Sequence, residues 1–368
     1  MFSRLIMEEE SSFAALNYII VAIILIAGIS YFRNKNKWPH DKLTKKFVNF
    51  TLVVYVLTIF GSLLYALPTR NVYGYILVPL VMYLYMAIFV QRQEEEKLVI
   101  ITMYVITLVL AFFYFTNYFT NVLYLYDIAQ VTNTSYTILY FLPFLLCARK
   151  NIFRIASIIL VLLAVMFSLK RGGFIAFILS VAVYLYIHQI KMKKKKIKLW
   201  GWIMVLFVAA GVYLLVVRIN SEVLGDLLFT RISGVQEEGG SGRSGIYREV
   251  FRLIGDSSVL GIFLGHGWCG TVRDTTFHLT AHNDFLEVFY DFGIIGFVLY
   301  IAFIVQLVKL YRRLIRNNSE YAPAMGASLV MFFVNSMVSH IVIYCQYMLI
   351  FTVFWGFISA SENKKMLQ

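Results

Sequence analysis

The sequence predicts an all-α polytopic membrane protein with about eleven transmembrane helices and one long external loop. Three observations carry this. The 368 residues are 60% hydrophobic, with a mean hydropathy of +0.75. Only 14% are charged, against about 25% in soluble domains. Apolar runs of about 18–22 residues also recur along the chain, the length a helix needs to cross a bilayer. The 32 Phe and 25 Tyr suit apolar packing and membrane–water boundaries. A net charge of +13 would point to nucleic acid in a soluble protein. In a membrane chain it is topological charge, and no nucleic-acid partner is expected. Cys147, Cys269 and Cys345 are scattered, which gives neither a disulfide framework nor metal-type spacing.

The first span is read over 13–32. Glu8, Glu9 and Glu10 stand before it in place of a basic n-region, so a retained helix is expected rather than a cleaved signal. Further spans are read over 47–67, 72–90, 98–116, 134–147, 151–169, 172–190 and 199–217. The fifth is short and carries Pro143. Together these form an N-terminal transmembrane part, 1–217. A long loop, 218–284, follows, and spans at 285–308, 322–341 and 345–361 make up a C-terminal part, 285–368.

Charge sets the orientation. The connections 33–46, 148–154, 191–198 and 309–318 are rich in Lys and Arg, and with eleven spans all fall on one side with Lys364 and Lys365. That side is the cytoplasm by the positive-inside rule. The N-terminus, the loop 117–133 and the loop 218–284 are then external.

The long loop holds Arg218, Arg231, Arg243, Arg248, Arg252 and Arg273 but no lysine. Guanidinium groups match phosphate oxygens bidentately and stay charged. Pairing with the loop's own acids, among them Glu237, Glu238, Glu249 and Asp256, is the alternative. After the glycines of GGSGRSG (239–245), Ile246, Val250, Leu253 and Ile254 recur with helical spacing. Ser244 is the expected N-cap and Gly255 the expected stop, with Arg243 just ahead of the helix. Arg248 and Arg252, at i and i+4, share one face. Such a helix suits a diphosphate at its N-terminus or lipid headgroups along its length. A second cationic site is SLKRGGF (168–174), where Lys170 and Arg171 are external against the positive-inside rule. Ligand binding or a tight Gly-Gly turn with headgroup contacts would each account for it.

His266, His278 and His282 lie in the long loop, and His340 falls at the external end of the tenth span. His278 and His282 are four apart, but a third ligand at convincing spacing is missing and the arginines would repel a cation. His282 sits at a helix mouth, where a neutral imidazole can take a proton from an acceptor hydroxyl and Asn283 can hold a sugar hydroxyl. Alternatively, His-Asn-Asp caps the helix.

His282-Asn283, nine residues, then Gly293-Ile294-Ile295-Gly296 resembles the His-Asn-x9-Gly-x-x-Gly signature of the O-antigen ligase and O-antigen polymerase superfamily. Leu169-Lys170-Arg171-Gly172-Gly173 resembles its external Ser-Arg-Gly turn, with Lys170 in place of a small or polar residue. GRSGIYREVFRLI (242–254) resembles the segment opening its large external loop, and Gly265-His266-Gly267 its Gly-x-Gly element. The resemblance implies a GT-C-like glycosyltransferase on the outer face of a bacterial plasma membrane. Its donor is a glycan on undecaprenyl diphosphate, its acceptor a second glycan, and it uses no metal or other cofactor. Arg171, Arg243 and His282 take the catalytic positions. Arg248, Arg252, Asn283, Lys170, His266 and Glu249 are substrate-binding candidates. The first external loop, PTRN (68–71), lacks the acid that metal-dependent GT-C enzymes place there. The expected reaction is the polymerase one, joining lipid-linked repeat units into O-antigen or capsule-type polysaccharide, because arginines spread over a long loop suit two diphosphate lipids. The alternative is a ligase that transfers the glycan to lipid A–core in lipopolysaccharide synthesis, and a lipid-linked oligosaccharide transporter is a remote third. The bilayer and a chain-length regulator protein complete the expected partners.

Overall fold

The computed structural model describes residues 42–64, 71–90, 92–119, 128–148, 152–168, 170–192 and 243–367. The spans expected at 13–32 and 199–217, the PTRN loop up to residue 70, and the loop residues 218–242 with Arg218 and Arg231 lie outside them.

Every regular element among the described residues is helical. In chain order these are α1 (Lys42–Leu64), α2 (Asn71–Phe89), α3 (Gln93–Asn117), α4 (Ile128–Tyr140), α5 (Leu142–Cys147), α6 (Ile152–Phe167) and α7 (Arg171–Tyr186). A π-helical turn, Ile187–Met192, extends α7. Then come α8 (Arg243–Gly255), α9 (Val259–Leu264), α10 (Gly270–Asp274), α11 (Asp284–Arg316), α12 (Ala322–Val338) and α13 (Cys345–Leu367). Four stretches among the described residues are long and apolar enough to cross a membrane: Lys42–Gly61, Gln93–Asn117, Gly172–Gln189 and Asp284–Arg316. Gly74–Phe89, Ile152–Phe167 and Ala322–Val338 are shorter apolar helices.

Three expectations are corrected. The span read over 134–147 is two helices, α4 and α5, with a turn at Phe141. Pro143 falls in the first turn of α5, where its missing N–H has no intrahelical partner to lose. The helix after the glycine stretch begins at Arg243, so Arg243 is its first residue and Ser244 lies inside the first turn rather than capping it. The Gly172-Gly173 pair is not a turn: Lys170 is the N-cap of α7, and both glycines lie in its first turn.

The chain divides into two compact units. One comprises Met1–Glu96, Arg252–Leu310 and His340–Gln368. In it α2 lies along α13 at a close approach: a Cβ at Gly356 would stand 2.5 Å from the Tyr83 carbonyl oxygen. Inside a bilayer, packing through small residues, rather than exclusion of water, holds helices together. Fully buried aromatics fill this core, with the Phe47 and Phe303 rings 4.7 Å apart and Phe303 edge-on to Trp355 at 5.7 Å. Thr44 and Tyr83 satisfy each other's hydroxyls at 3.1 Å.

The other unit comprises Lys97–Phe251 and Tyr311–Ser339. Here α7 packs along α12, and a Cβ at Gly326 would meet Ile187 at 2.5 Å. Arg154 is buried at the start of α6, donating to the Tyr184 hydroxyl at 2.8 Å and the Ala148 carbonyl at 3.0 Å. A buried charge needs such partners to be tolerated.

Candidate active site

In the first unit the site is organised by the opening turns of α11. Asp284, Glu287 and Asp291 recur at i, i+3 and i+7, which places them on one helical face. All three are fully buried. Carboxylates at the mouth of an apolar helix must find donors, and each of these does. Asp284 accepts the backbone N–H groups of Ile341 at 2.9 Å and Val342 at 3.2 Å. Glu287 accepts from the Ala281 N–H at 2.6 Å and from the Thr271 hydroxyl. Asp291 accepts from the N–H groups of Cys269 at 2.8 Å and Thr271 at 3.2 Å. The carboxylate row thus stitches the 269–281 loop and the strap before α13 onto α11. Sequence reasoning missed it, although acids at helical spacing beside an apolar run were a readable signal.

The glycines of the sequence motifs serve a backbone crossing. α11 is kinked at Gly293, whose φ of 61° is left-handed, and Gly265 has φ 78°. A Cβ at Gly265 would lie 2.3 Å from the Asp291 carbonyl oxygen, and one at Gly293 would lie 2.4 Å from that of Phe263. Beside the kink, the Tyr290 carbonyl accepts the His266 N–H at 3.1 Å and the Asp291 carbonyl accepts that of Gly267 at 2.8 Å. Only residues without a side chain allow two backbones this close.

His282 is delivered by this framework. Asn283 Oδ1 accepts from the N–H groups of Phe285 at 3.0 Å and Leu286 at 3.3 Å, so Asn283 caps α11. His282, one residue earlier, is half-buried with φ 51°, a left-handed conformation that costs a non-glycine residue. Its ring lies 5.0 Å from that of His340, tilted by 35°. His340 Nδ1 is in hydrogen-bond contact with Thr280 Oγ1 at 3.2 Å, and its ring stacks on Tyr344 at 4.1 Å.

The other loop candidates are engaged elsewhere. His266 Nε2 is 2.9 Å from Ser257 Oγ, and its ring stacks on Tyr290 at 4.3 Å. Burial, assisted by the Arg273 charge and opposed by Asp274, holds its pKa below the ordinary imidazole value. Arg273 grips Asp274 through two nitrogens at 2.7 and 2.6 Å and also donates to the His266 carbonyl at 3.2 Å. Burial raises the Asp274 pKa, but hydrogen bonds from Arg273 and Tyr290 outweigh it and hold the carboxyl below its usual range. His278 is exposed, and its Nδ1 lies 3.2 Å from the Val272 carbonyl. Arg252 pairs with Asp256 at 3.0 Å, both side chains more than 60% exposed, a geometry of little energetic weight. Arg248 is exposed and Glu249 half-buried.

In the second unit Lys170 stands at Tyr136. Lys170 Nζ donates to Asn133 Oδ1 and stands 5.2 Å over the Tyr136 ring. The Gly173 backbone hydrogen-bonds the phenol oxygen, and the Arg243 charge acts on the same group. Gly172 and Gly173 make room for it: a Cβ at Gly172 would be 3.3 Å from the phenol oxygen and 2.9 Å from Val338, and one at Gly173 would be 3.3 Å from the ring. Arg171 opens α7 directly after Lys170. Neither Tyr136 nor Asn133 carried a signal in the sequence, because their role depends on a contact across the fold.

A family model described as O-antigen ligase matches residues 156–301. The match spans the Lys170–Gly173 segment, α8 and the His282–Gly296 motif. Residues 156–301 are therefore similar to the O-antigen ligase family. No curated protein matches the chain.

Proposed function

We propose that this protein is a polymerase that joins undecaprenyl-diphosphate-linked oligosaccharide repeat units into an O-antigen or capsule-type polysaccharide on the outer face of the bacterial plasma membrane. The observation that carries the reading is Lys170, at the head of α7, standing over the Tyr136 ring, while the charge of Arg243, at the head of α8, acts on the same phenol. Two cationic helix starts offer guanidinium, ammonium and backbone N–H donors, the combination that suits a diphosphate.

In this reading an acceptor sugar hydroxyl attacks the anomeric carbon of the donor glycan. His282 takes the hydroxyl proton. The bond between the anomeric carbon and the diphosphate oxygen breaks, and undecaprenyl diphosphate leaves. Arg171 and Arg243 stabilise the charge that develops on it. Lys170, Arg248 and Arg252 add cationic contacts to the lipid diphosphates. Asn283, His266 and Glu249 shape the acceptor side, Asn283 through its amide nitrogen while its oxygen caps α11. The chemistry needs no cofactor and no metal, since arginines carry the electrostatic role.

A ligase reading, with lipid A–core as acceptor, is favoured by the description of the matching family model. A gel of surface glycan separates the two. A strain lacking the gene that carries single repeat units on its core, with the ladder restored by the wild type and not by His282→Ala or Arg243→Ala, supports the polymerase. Long lipid-linked polymer accumulating with no glycan on the core supports the ligase. A normal ladder with His282→Ala removes the base from the mechanism.

A further inference from the structure

We infer that His340 is a positioning residue for His282, holding its imidazole in the orientation that proton transfer requires. The inference rests on the glycan-transfer reading and extends it to a residue on a different helix connection. His282 is held in a left-handed backbone conformation, which persists only where the surroundings over-determine it. The backbone around it is pinned: Glu287 holds the Ala281 N–H and Asn283 caps the helix that follows. Pinning the backbone does not orient a ring, because χ1 and χ2 still rotate. The ring of His340 lies against that of His282 at 5.0 Å. His340 is itself fixed on three sides. Thr280, two residues before His282, engages its Nδ1 at 3.2 Å. Tyr344 stacks on its face at 4.1 Å. Asp284, two residues after His282, grips the next two N–H groups of the strap, those of Ile341 and Val342. The residues flanking His282 thus reach across to anchor the ring that lies beside its own and the strap that carries it.

The test uses the full chain in membranes, with a synthetic polyprenyl-diphosphate-linked repeat unit as substrate and kcat and KM measured separately. His340→Ala should lower kcat by about 10²-fold, the scale of a misplaced catalytic group, with KM for the lipid-linked unit little changed. His340→Phe, which keeps a ring between Tyr344 and His282, should recover more than half of the lost kcat on a logarithmic scale. Thr280→Val, which keeps both imidazoles and removes only the anchor, should lower kcat by about tenfold at unchanged KM. A merely structural role would instead reduce the amount of folded protein and leave the kcat of the remainder intact. Wild-type kcat in Thr280→Val, or in folded His340→Ala, overturns the inference, as does a rise in KM at constant kcat. Where His340→Ala fails to fold, Thr280→Val decides. His282→Ala is the control for the underlying reading. An active His282→Ala sinks glycan transfer through this histidine altogether. An inactive His282→Ala beside an unaffected His340→Ala sinks this inference alone.

Discussion

At the residue scale the chemistry of the HND triplet divides three ways. Asn283 caps the helix, Asp284 binds the strap, and His282 alone presents a ring beside a second imidazole. The sequence offered capping and catalysis as alternatives; the cap falls to Asn283, which leaves His282 open to the role proposed for it. Replacing His282 with Ala should lower glycan transfer by about 10²–10⁴-fold, the range of general-base contributions, measured with lipid-linked substrate. Tyr136→Phe removes the phenol oxygen that the Gly173 backbone holds and on which the Arg243 charge acts; if Lys170 and Arg243 grip the diphosphate, loosening their surroundings should raise KM for the lipid-linked unit by about tenfold with kcat little changed. His266 makes a pH prediction. Burial holds its folded pKa below the ordinary value of about 6.5. The folded state therefore binds fewer protons than the unfolded state below that pH, and the stability contribution is full above about 6.5 and lost as pH falls through the lowered folded value. Thermal midpoints should drop on acidification from pH 7 to about 5, and His266→Gln should flatten that slope.

At the element scale, glycine positions were legible as a motif and illegible as a mechanism. Gly265 and Gly293 are far apart in sequence, and only the fold shows their backbones crossing at left-handed φ. Gly265→Ala or Gly293→Ala should each cost about 2–6 kcal/mol, from an unfavourable φ together with overpacking. Loss of folded protein in a detergent thermal-shift assay would register it, and a neutral effect would contradict the crossing. Helix boundaries were read well where apolar runs were long, as in α2, α3 and α6. They were misread at α4–α5 and at α8, because a proline admitted into a first turn and a helix beginning on an arginine leave no change in hydrophobic period.

At the scale of the whole molecule, charge asymmetry makes a topological prediction. A periplasm-dependent phosphatase fused after Gly255 should be active, and one fused after Asn318 inactive, since the 309–318 stretch is basic. The reverse pattern would invert the orientation and take His282 off the external face. By itself the sequence determined the membrane class, the helical architecture of the described residues and the likeness of residues 156–301 to the O-antigen ligase family, because apolar run length and short motif order are properties of one strand of chain. Only the tertiary structure decided that Lys170 stands over Tyr136, that a row of buried carboxylates binds the loop to α11, and that the His282 ring lies beside that of His340. Each is a contact between segments distant in sequence. Such contacts are selected by packing and by the need to satisfy buried polar groups, and neither leaves a periodic trace along the chain.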